Sequence, residues 1–99
     1  MIQGTTPTHT FNLPFTTDTI SALRIAYEQS GKVVLTKETN DVETTSKTIT
    51  VKLTQEETLK FDANVPVRIQ LHVRMEDDTT MASVVETVPV YILLDRRVL

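Results

Sequence analysis

Apolar and polar residues alternate with a period of two along most of the chain. In the longest such run, over residues 67–75, polar residues separate the apolar Val67, Ile69, Leu71, Val73 and Met75. Because successive side chains of a β-strand point to opposite faces, this pattern predicts a strand with one buried and one exposed face. The strands predicted in this way cover residues 8–13, 20–29, 32–37, 48–53, 67–75 and 80–88.

Short polar segments predict how these strands connect. Ser30-Gly31 provides the positive-φ position of a tight hairpin turn, and residues 76–79 are expected to form a second hairpin loop. Thr54 and Glu57 have the spacing of a capping box, in which each side chain accepts a hydrogen bond from the other residue's backbone amide. We therefore expect one helical turn after residue 54, crossing from one sheet to the other.

Two segments follow the alternation less regularly. Residues 38–47 are polar and are expected to form a loop with a short edge strand near Val42. The last strand, residues 80–88, has apolar side chains in both parities, including Met81 and Val84. This indicates either a bulge or a strand that is covered on both faces.

The number and spacing of the elements predict the fold class. Strands separated by turns roughly every ten residues, with one short helical turn between sheets, are typical of an all-β, immunoglobulin-like β-sandwich of six to seven antiparallel strands. The cysteine pair, tryptophan and tyrosine corner of antibody domains are absent, so only the architecture is implied. Pro89 interrupts backbone pairing before an apolar run, so we expect a sandwich domain over residues 1–89 and a C-terminal arm over residues 90–99.

Composition supports the β prediction and narrows the possible chemistry. The chain has 18 threonines, 12 valines and 6 isoleucines, and β-branched side chains pack well on a pleated surface. It has no cysteine, which excludes disulfides, thiolate metal sites and cysteine nucleophiles. The first residues lack the basic start and apolar run of a signal peptide, so we expect a soluble protein that is not exported by that route.

The net charge gives an expectation about partners. Ten basic and 13 acidic residues give a net charge of −3 at pH 7. Affinity for nucleic acid depends largely on lysines and arginines that neutralise phosphates. We therefore expect no nucleic-acid partner, and the absence of a long apolar segment predicts no membrane partner.

No catalytic or cofactor pattern emerges from the chemically reactive residues. His9 and His72 are the only histidines and are not at ligand spacing. The acidic residues 76–78 lack the spaced pattern of a calcium loop, the serines lack a nucleophile-elbow context, and two glycines are too few for a phosphate loop. The sequence therefore predicts a protein that is not an enzyme and has no catalytic residue, cofactor or metal.

The first candidate interface is the polar face of the strand over residues 67–75. Arg68, His72 and Arg74 share that face, and neighbouring cations repel unless an acidic group lies across them. The acidic group is either a carboxylate of the same sheet, such as Glu28, or the surface of an acidic partner.

The second candidate interface is the apolar run of the arm. The run includes Tyr91, Ile92, Leu93 and Leu94, and soluble monomers rarely expose such a patch. An unpaired strand of this composition would seek the edge of a sheet. We expect that edge to belong to another subunit, which predicts a homo-oligomer or a docked partner; the alternative is that the arm folds back along the first strand of the same subunit.

Three segments carry a family resemblance: residues 1–15 (MIQGTTPTHTFNLPF), 20–27 (ISALRIAY) and 49–61 (ITVKLTQEETLKF). The chain resembles a group of short proteins encoded by phages and prophages of gut Firmicutes. It is also similar in pattern to the N-terminal β-sandwich domain of phage upper-baseplate and tail-fibre proteins. The resemblance implies a structural or assembly protein of the virion that attaches to, or decorates, a head or tail and has other phage structural proteins as partners.

Two other functions are compatible with the residues. One is a soluble adhesion or carbohydrate-binding module, although sugar binders usually expose aromatic rings and the chain has only two tyrosines, three phenylalanines and no tryptophan. The other is a phage-encoded regulator or inhibitor of a host protein. Detection of the chain in purified particles would separate the virion role from these.

Overall fold

Eight strands and one helical turn form the regular structure of the computed structural model, which describes residues 1–99. In chain order they are β1 (Thr8–Asn12), β2 (Ile20–Gln29), β3 (Lys32–Glu38), β4 (Glu43–Thr44), β5 (Thr48–Lys52), α1 (Gln55–Thr58), β6 (Val67–Met75), β7 (Thr80–Ala82) and β8 (Glu86–Val88). Two short 3-10 turns lie at Thr17–Thr19 and Thr39–Asp41. No helix has the length and apolar character needed to cross a bilayer.

The strands form two antiparallel sheets. One has three strands in the order β1-β5-β4, and the other has the order β3-β2-β6-β7, with β8 also paired to β6. The all-β prediction is therefore confirmed. The segment between β5 and β6, which contains α1, crosses from the first sheet to the second, as the capping box predicted.

Alternating apolar residues of both sheets fill one core. On β5, Ile49 and Val51 are fully buried, and on β6 the odd-numbered residues from Val67 to Val73 are buried while the even-numbered ones are exposed. The core consists of twelve hydrophobic residues: Leu23, Ile25, Tyr27, Ile49, Val51, Leu53, Phe61, Val67, Ile69, Leu71, Val73 and Val90. The buried face predicted for residues 67–75 is thus confirmed from Val67 to Val73.

The hairpin turn, the capped helical turn and the edge strand lie where the sequence predicted them. Ser30 and Gly31 have φ values of 53° and 82°, the left-handed conformation that joins β2 to β3. The capping box at α1 is complete: Glu57 N donates to Thr54 Oγ1 at 3.2 Å, and Thr54 N donates to Glu57 Oε1 at 2.8 Å. The edge strand expected near Val42 is β4, which begins one residue later.

The predicted last strand is interrupted in the middle. Its two halves, β7 and β8, pair with opposite ends of β6, and the connecting residues 83–85 bulge out. Ser83 Oγ accepts a hydrogen bond from Leu71 N at 3.0 Å, so a side chain replaces the missing backbone partner. Of the two alternatives for this segment, the bulge is the one observed, and it explains why apolar residues occur in both parities.

An ion pair ties α1 to the edge of the larger sheet. Lys37 Nζ lies 2.6 Å from Glu57 Oε2, and both side chains are largely shielded from water. Burial alone would raise the pKa of Glu57, but hydrogen bonds from Lys37 and Thr54, together with the Lys37 charge, lower it below its ordinary value. Glu57 therefore serves both the cap of α1 and the docking of β3.

Candidate protein interfaces

The outer face of β6 carries the basic residues that the sequence identified. Arg68 Nη1 lies 3.1 Å from Glu28 Oε2 on the neighbouring β2. Arg24, which is opposite His72 in the register, pairs with Glu38 at 3.2 Å. Of the two alternatives for the acidic group, a carboxylate of the same sheet is therefore the one observed for Arg68.

At the other end of this face, Arg74 has no carboxylate partner. Arg74 Nε donates to Ser21 Oγ at 3.2 Å, and no carboxylate oxygen lies within ion-pair distance of Arg74. His72 and Arg74 are both exposed. The Arg74 guanidinium at this end is a positive group to which an acidic group of a partner could bind.

The C-terminal arm, residues 90–99, lies against the chain's own N-terminal residues. Tyr91 N donates to Met1 O at 2.8 Å, Gln3 N donates to Tyr91 O at 3.1 Å, and Ile2 and Tyr91 form a parallel bridge. Leu93 N donates to the Gln3 side-chain oxygen at 3.2 Å. Asn64 N donates to Val90 O at 2.9 Å, and beyond Val90 the arm runs beside residues 1–3 and not along β1.

The apolar side chains of the arm differ in exposure. Val90 is buried in the core and Leu93 is half-buried, whereas Tyr91, Ile92 and Leu94 are 57%, 59% and 93% exposed. The backbone of the arm is therefore held by its own subunit while three large apolar side chains face water. Whether these residues contact another subunit stays a prediction.

A third feature is a cleft that the sequence did not reveal. Its volume is about 570 Å³, and it lies between β1 on one side and the β6–β8 region of the other sheet. Its apolar lining consists of Phe11, Leu13, Ile69, Leu71, Val84 and Val88. No residue of β5 lines it, so the cleft opens along the edge of β1 that faces away from β5.

The core-facing side chains of β1 are less buried than those of the neighbouring strand β5. His9 and Phe11 are only half-buried, although their register partners Val51 and Ile49 are fully buried. The inner side chains of β1 thus lack a neighbour on the side of the cleft. Alternation within residues 8–13 separates the two faces of β1, but it carries no information about which edge of the strand is unpaired.

His9 connects the cleft to the core. Its Nδ1 lies 2.7 Å from Tyr27 Oη, and Tyr27 in turn packs against Phe61 with ring centroids 6.0 Å apart. Burial, followed by the charge of Glu57, raises the pKa of the Tyr27 hydroxyl, so this group is neutral at physiological pH. The hydrogen bond gives the fully buried tyrosine a partner that it would otherwise lack.

Acid is expected to destabilise the fold through His9. Burial lowers the pKa of His9 below its ordinary 6.5, so below that pH the unfolded chain binds more protons than the folded one. The free energy of unfolding should therefore fall as the pH decreases from 6.5 towards the lowered folded-state pKa. We expect His9→Gln to flatten this fall, as measured by urea titrations between neutral pH and about pH 5.

His72 provides the matched control for this experiment. It is the only other histidine and lies exposed on β6, so His72→Gln makes the same substitution outside the core. A profile that His72→Gln flattens as much as His9→Gln, or that neither changes, would contradict the assignment to His9.

Comparison of the chain with protein-family models, with curated proteins and with solved structures finds no match. The structure brings together no group of three His, Cys, Asp or Glu side chains that could hold a metal ion.

Proposed function

We propose that the chain is a non-enzymatic structural or assembly protein of a phage virion, which attaches to or decorates a head or a tail and baseplate through protein–protein contacts. Its partners would be other phage structural proteins, and it would reach the virion after assembly in the host bacterial cytoplasm. The proposal rests on the exposed side chains of the arm. Tyr91, Ile92 and Leu94 face water, although the backbone of the arm is already hydrogen bonded within the subunit.

The geometry of the arm suits an interface. Its backbone is tied to residues 1–3, so side chains at the bridge are held in place before a partner arrives. Rigid, exposed aromatic and aliphatic side chains are the residues that anchor protein interfaces, since little conformational entropy is lost when they bind. The exposed end of the β6 face, with His72 and the cationic Arg74, would add contacts to an acidic partner.

The finer fold class also belongs to this proposal. In immunoglobulin domains, strands A, B, E and D form one sheet, and G, F and C form the other, with C′ added in variable-type domains. The order β4-β5-β1 corresponds to D-E-B, and β3-β2-β6-β7 corresponds to C′-C-F-G. The buried Tyr27 on β2 would take the place of the tryptophan on strand C, which supports an immunoglobulin-like arrangement.

The resemblance of residues 1–15, 20–27 and 49–61 to short phage and prophage proteins supports the virion assignment over the other two functions. A carbohydrate-binding module gains no support from the surface, because Tyr91 is the single aromatic residue that is largely exposed. Mass spectrometry of purified particles from a lysogen that carries the gene tests the proposal. Consistent absence of the chain from those particles would overturn it.

Loss of the exposed apolar surface of the arm should weaken attachment. We expect Ile92→Ser to lower the affinity for the particle about fivefold or more, because a buried interface anchor contributes over about 1 kcal/mol. Val33→Ser is the matched control, since Val33 on β3 is 60% exposed and Ile92 is 59% exposed. The readout is the number of copies per particle when each variant is added back to particles that lack the chain.

Substitution is preferable to deletion of the whole arm. Val90 belongs to the core, so removal of residues 90–99 would also destabilise the sandwich. Equal binding of Ile92→Ser and Val33→Ser would exclude the arm as the attachment surface.

A further inference from the structure

The free edge of β1 is the best-formed unpaired edge of the molecule. Leu13 N donates to Lys47 O at 2.8 Å and Leu53 N donates to Pro7 O at 3.0 Å, so the odd-numbered residues of this segment make the hydrogen-bonded pairs with β5. Hydrogen-bonded and non-hydrogen-bonded pairs alternate in an antiparallel ladder. The N–H and C=O groups of Thr8, Thr10 and Asn12 therefore point away from β5, and no other strand pairs with them.

The other sheet edges carry features that prevent strand addition. β4 has two residues, β3 has a register shift and begins and ends with the charged Lys32 and Glu38, and the β7–β8 edge is interrupted by the bulge. Short length, charge and bulges are the means by which proteins block edge-to-edge pairing. β1 has five residues, no charge, no proline and no bulge.

We infer that β1 pairs with β1 of a second copy of the chain, antiparallel and about a twofold axis at Thr10, to form a continuous six-stranded sheet. This inference deepens the proposed function, on which it rests for the expectation that the chain acts through protein contacts. The hydrogen-bonding groups of Thr8, Thr10 and Asn12 are then all satisfied, with Thr8 opposite Asn12 of the copy and Thr10 opposite itself.

A second copy fits this edge because the strand is complementary to itself. No charged side chain meets another in the twofold register, and the outer face brings together uncharged threonine and asparagine side chains, which pair favourably across strands. Thr10 Oγ1 already lies 3.4 Å from Thr50 Oγ1 of its own sheet, so pairing would extend a row of threonines across the dimer.

The same arrangement explains the apolar cleft. Phe11 and Leu13 face the inner side of the sheet, which is the side of the cleft. In the twofold pair, these side chains of the copy would cover the cleft beside Ile69 and Val88, and the copy's cleft would be covered in the same way. A second copy of β1 would therefore both pair with the free backbone groups of β1 and cover the apolar lining of the cleft.

The immunoglobulin-like strand order points to the same edge. In that fold strand A lies beside strand B, and β1 takes the B position while its outer edge is unpaired. A strand from a second copy would occupy the place of strand A.

Light scattering across the micromolar range tests the inference. We expect the parent chain to have twice the chain mass of 11.2 kDa. Thr10→Lys would place two lysines opposite each other and should raise the dissociation constant of the dimer about tenfold or more. Thr36→Lys, the same exposed substitution on edge strand β3, should leave the dissociation constant unchanged. A parent that stays monomeric, or equal dimerisation of both variants, would overturn the inference.

Crosslinking tests the register. The chain has no cysteine, so Thr10→Cys introduces a single thiol that would lie directly opposite its copy and form a disulfide on oxidation. Asn12→Cys would face Thr8 of the copy and should not crosslink. Crosslinking of Asn12→Cys alone, or of neither variant, would exclude the twofold pairing at Thr10. Thermal melting of each variant verifies that it is folded.

The outcome of the light-scattering and crosslinking experiments does not depend on whether the chain is found in purified particles. A monomeric chain that is present in purified particles would overturn the dimer and leave the virion role in place. A dimer that is absent from particles would do the reverse.

Discussion

Replacement of Leu71 by alanine is expected to lower the free energy of unfolding by about 2–5 kcal/mol. Leu71 lies in the middle of β6, is 3% exposed and belongs to the core shared by the two sheets. The variant loses the transfer free energy of the removed carbons and leaves a cavity that the β-sheets cannot fully close. Because a small domain is stable by only about 5–15 kcal/mol, a urea titration should show a large shift of the midpoint.

Val84→Ala is the control for this measurement. Val84 also lines the cleft, but it is 78% exposed, so its truncation should change stability by no more than about 0.5 kcal/mol. A loss below about 1 kcal/mol for Leu71→Ala would show that the inward face of β6 is assigned to the wrong residues.

Most of the secondary structure could be predicted because it depends on local information. The alternation over residues 67–75 matches β6 from end to end, and the pair Thr54 and Glu57 is sufficient to start α1. Ser30-Gly31 joins β2 to β3 because few residues adopt positive φ without strain. Each of these signals lies within a few residues of the structure that it predicts.

Pairing between distant strands could not be predicted in the same way. Alternation separates the two faces of β1, but nothing in residues 8–12 shows that they pair with β5 on one side and with no strand on the other. The cleft depends on that missing neighbour and on the bulge at Ser83. Both are properties of the assembled sheets, so this candidate interface is absent from the sequence pattern.

The acidic partners of the outer face show a similar limit. The sequence identified Arg68, His72 and Arg74 and named Glu28 as one possible partner, and the structure pairs Glu28 with Arg68. Which cation stays uncompensated depends on the register between β2 and β6, which places Ala22 opposite Arg74. A shift of that register would change which basic residue remains available to a partner.

The side-chain amide of Gln29 is buried, although its polarity alone would predict an exposed position. Gln29 is polar and ends a strand, yet it is 4% exposed. Its Nε2 donates to Asp62 O and Val65 O, both at 2.9 Å, and its Oε1 accepts from Asp62 N at 2.9 Å. One side chain therefore satisfies three backbone groups of the segment that leads from α1 into β6.

Gln29→Leu is expected to lower the free energy of unfolding by about 2–4 kcal/mol, although it places a more hydrophobic side chain at a buried position. Leucine cannot replace the three hydrogen bonds, and each shielded backbone group that is left without a partner costs about 1–3 kcal/mol, less where water can reach it. Gln70→Leu is the matched control, because Gln70 is exposed on β6 and makes a single side-chain hydrogen bond, to Ser83 O at 2.9 Å. Its effect should stay within about 0.5 kcal/mol. Hydrogen exchange gives a second readout: the Asp62 amide should lose protection in Gln29→Leu and keep it in Gln70→Leu. Equal stability of the two variants would mean that the 62–65 segment is held by the packing of Phe61 and Val67 and not by the buried amide.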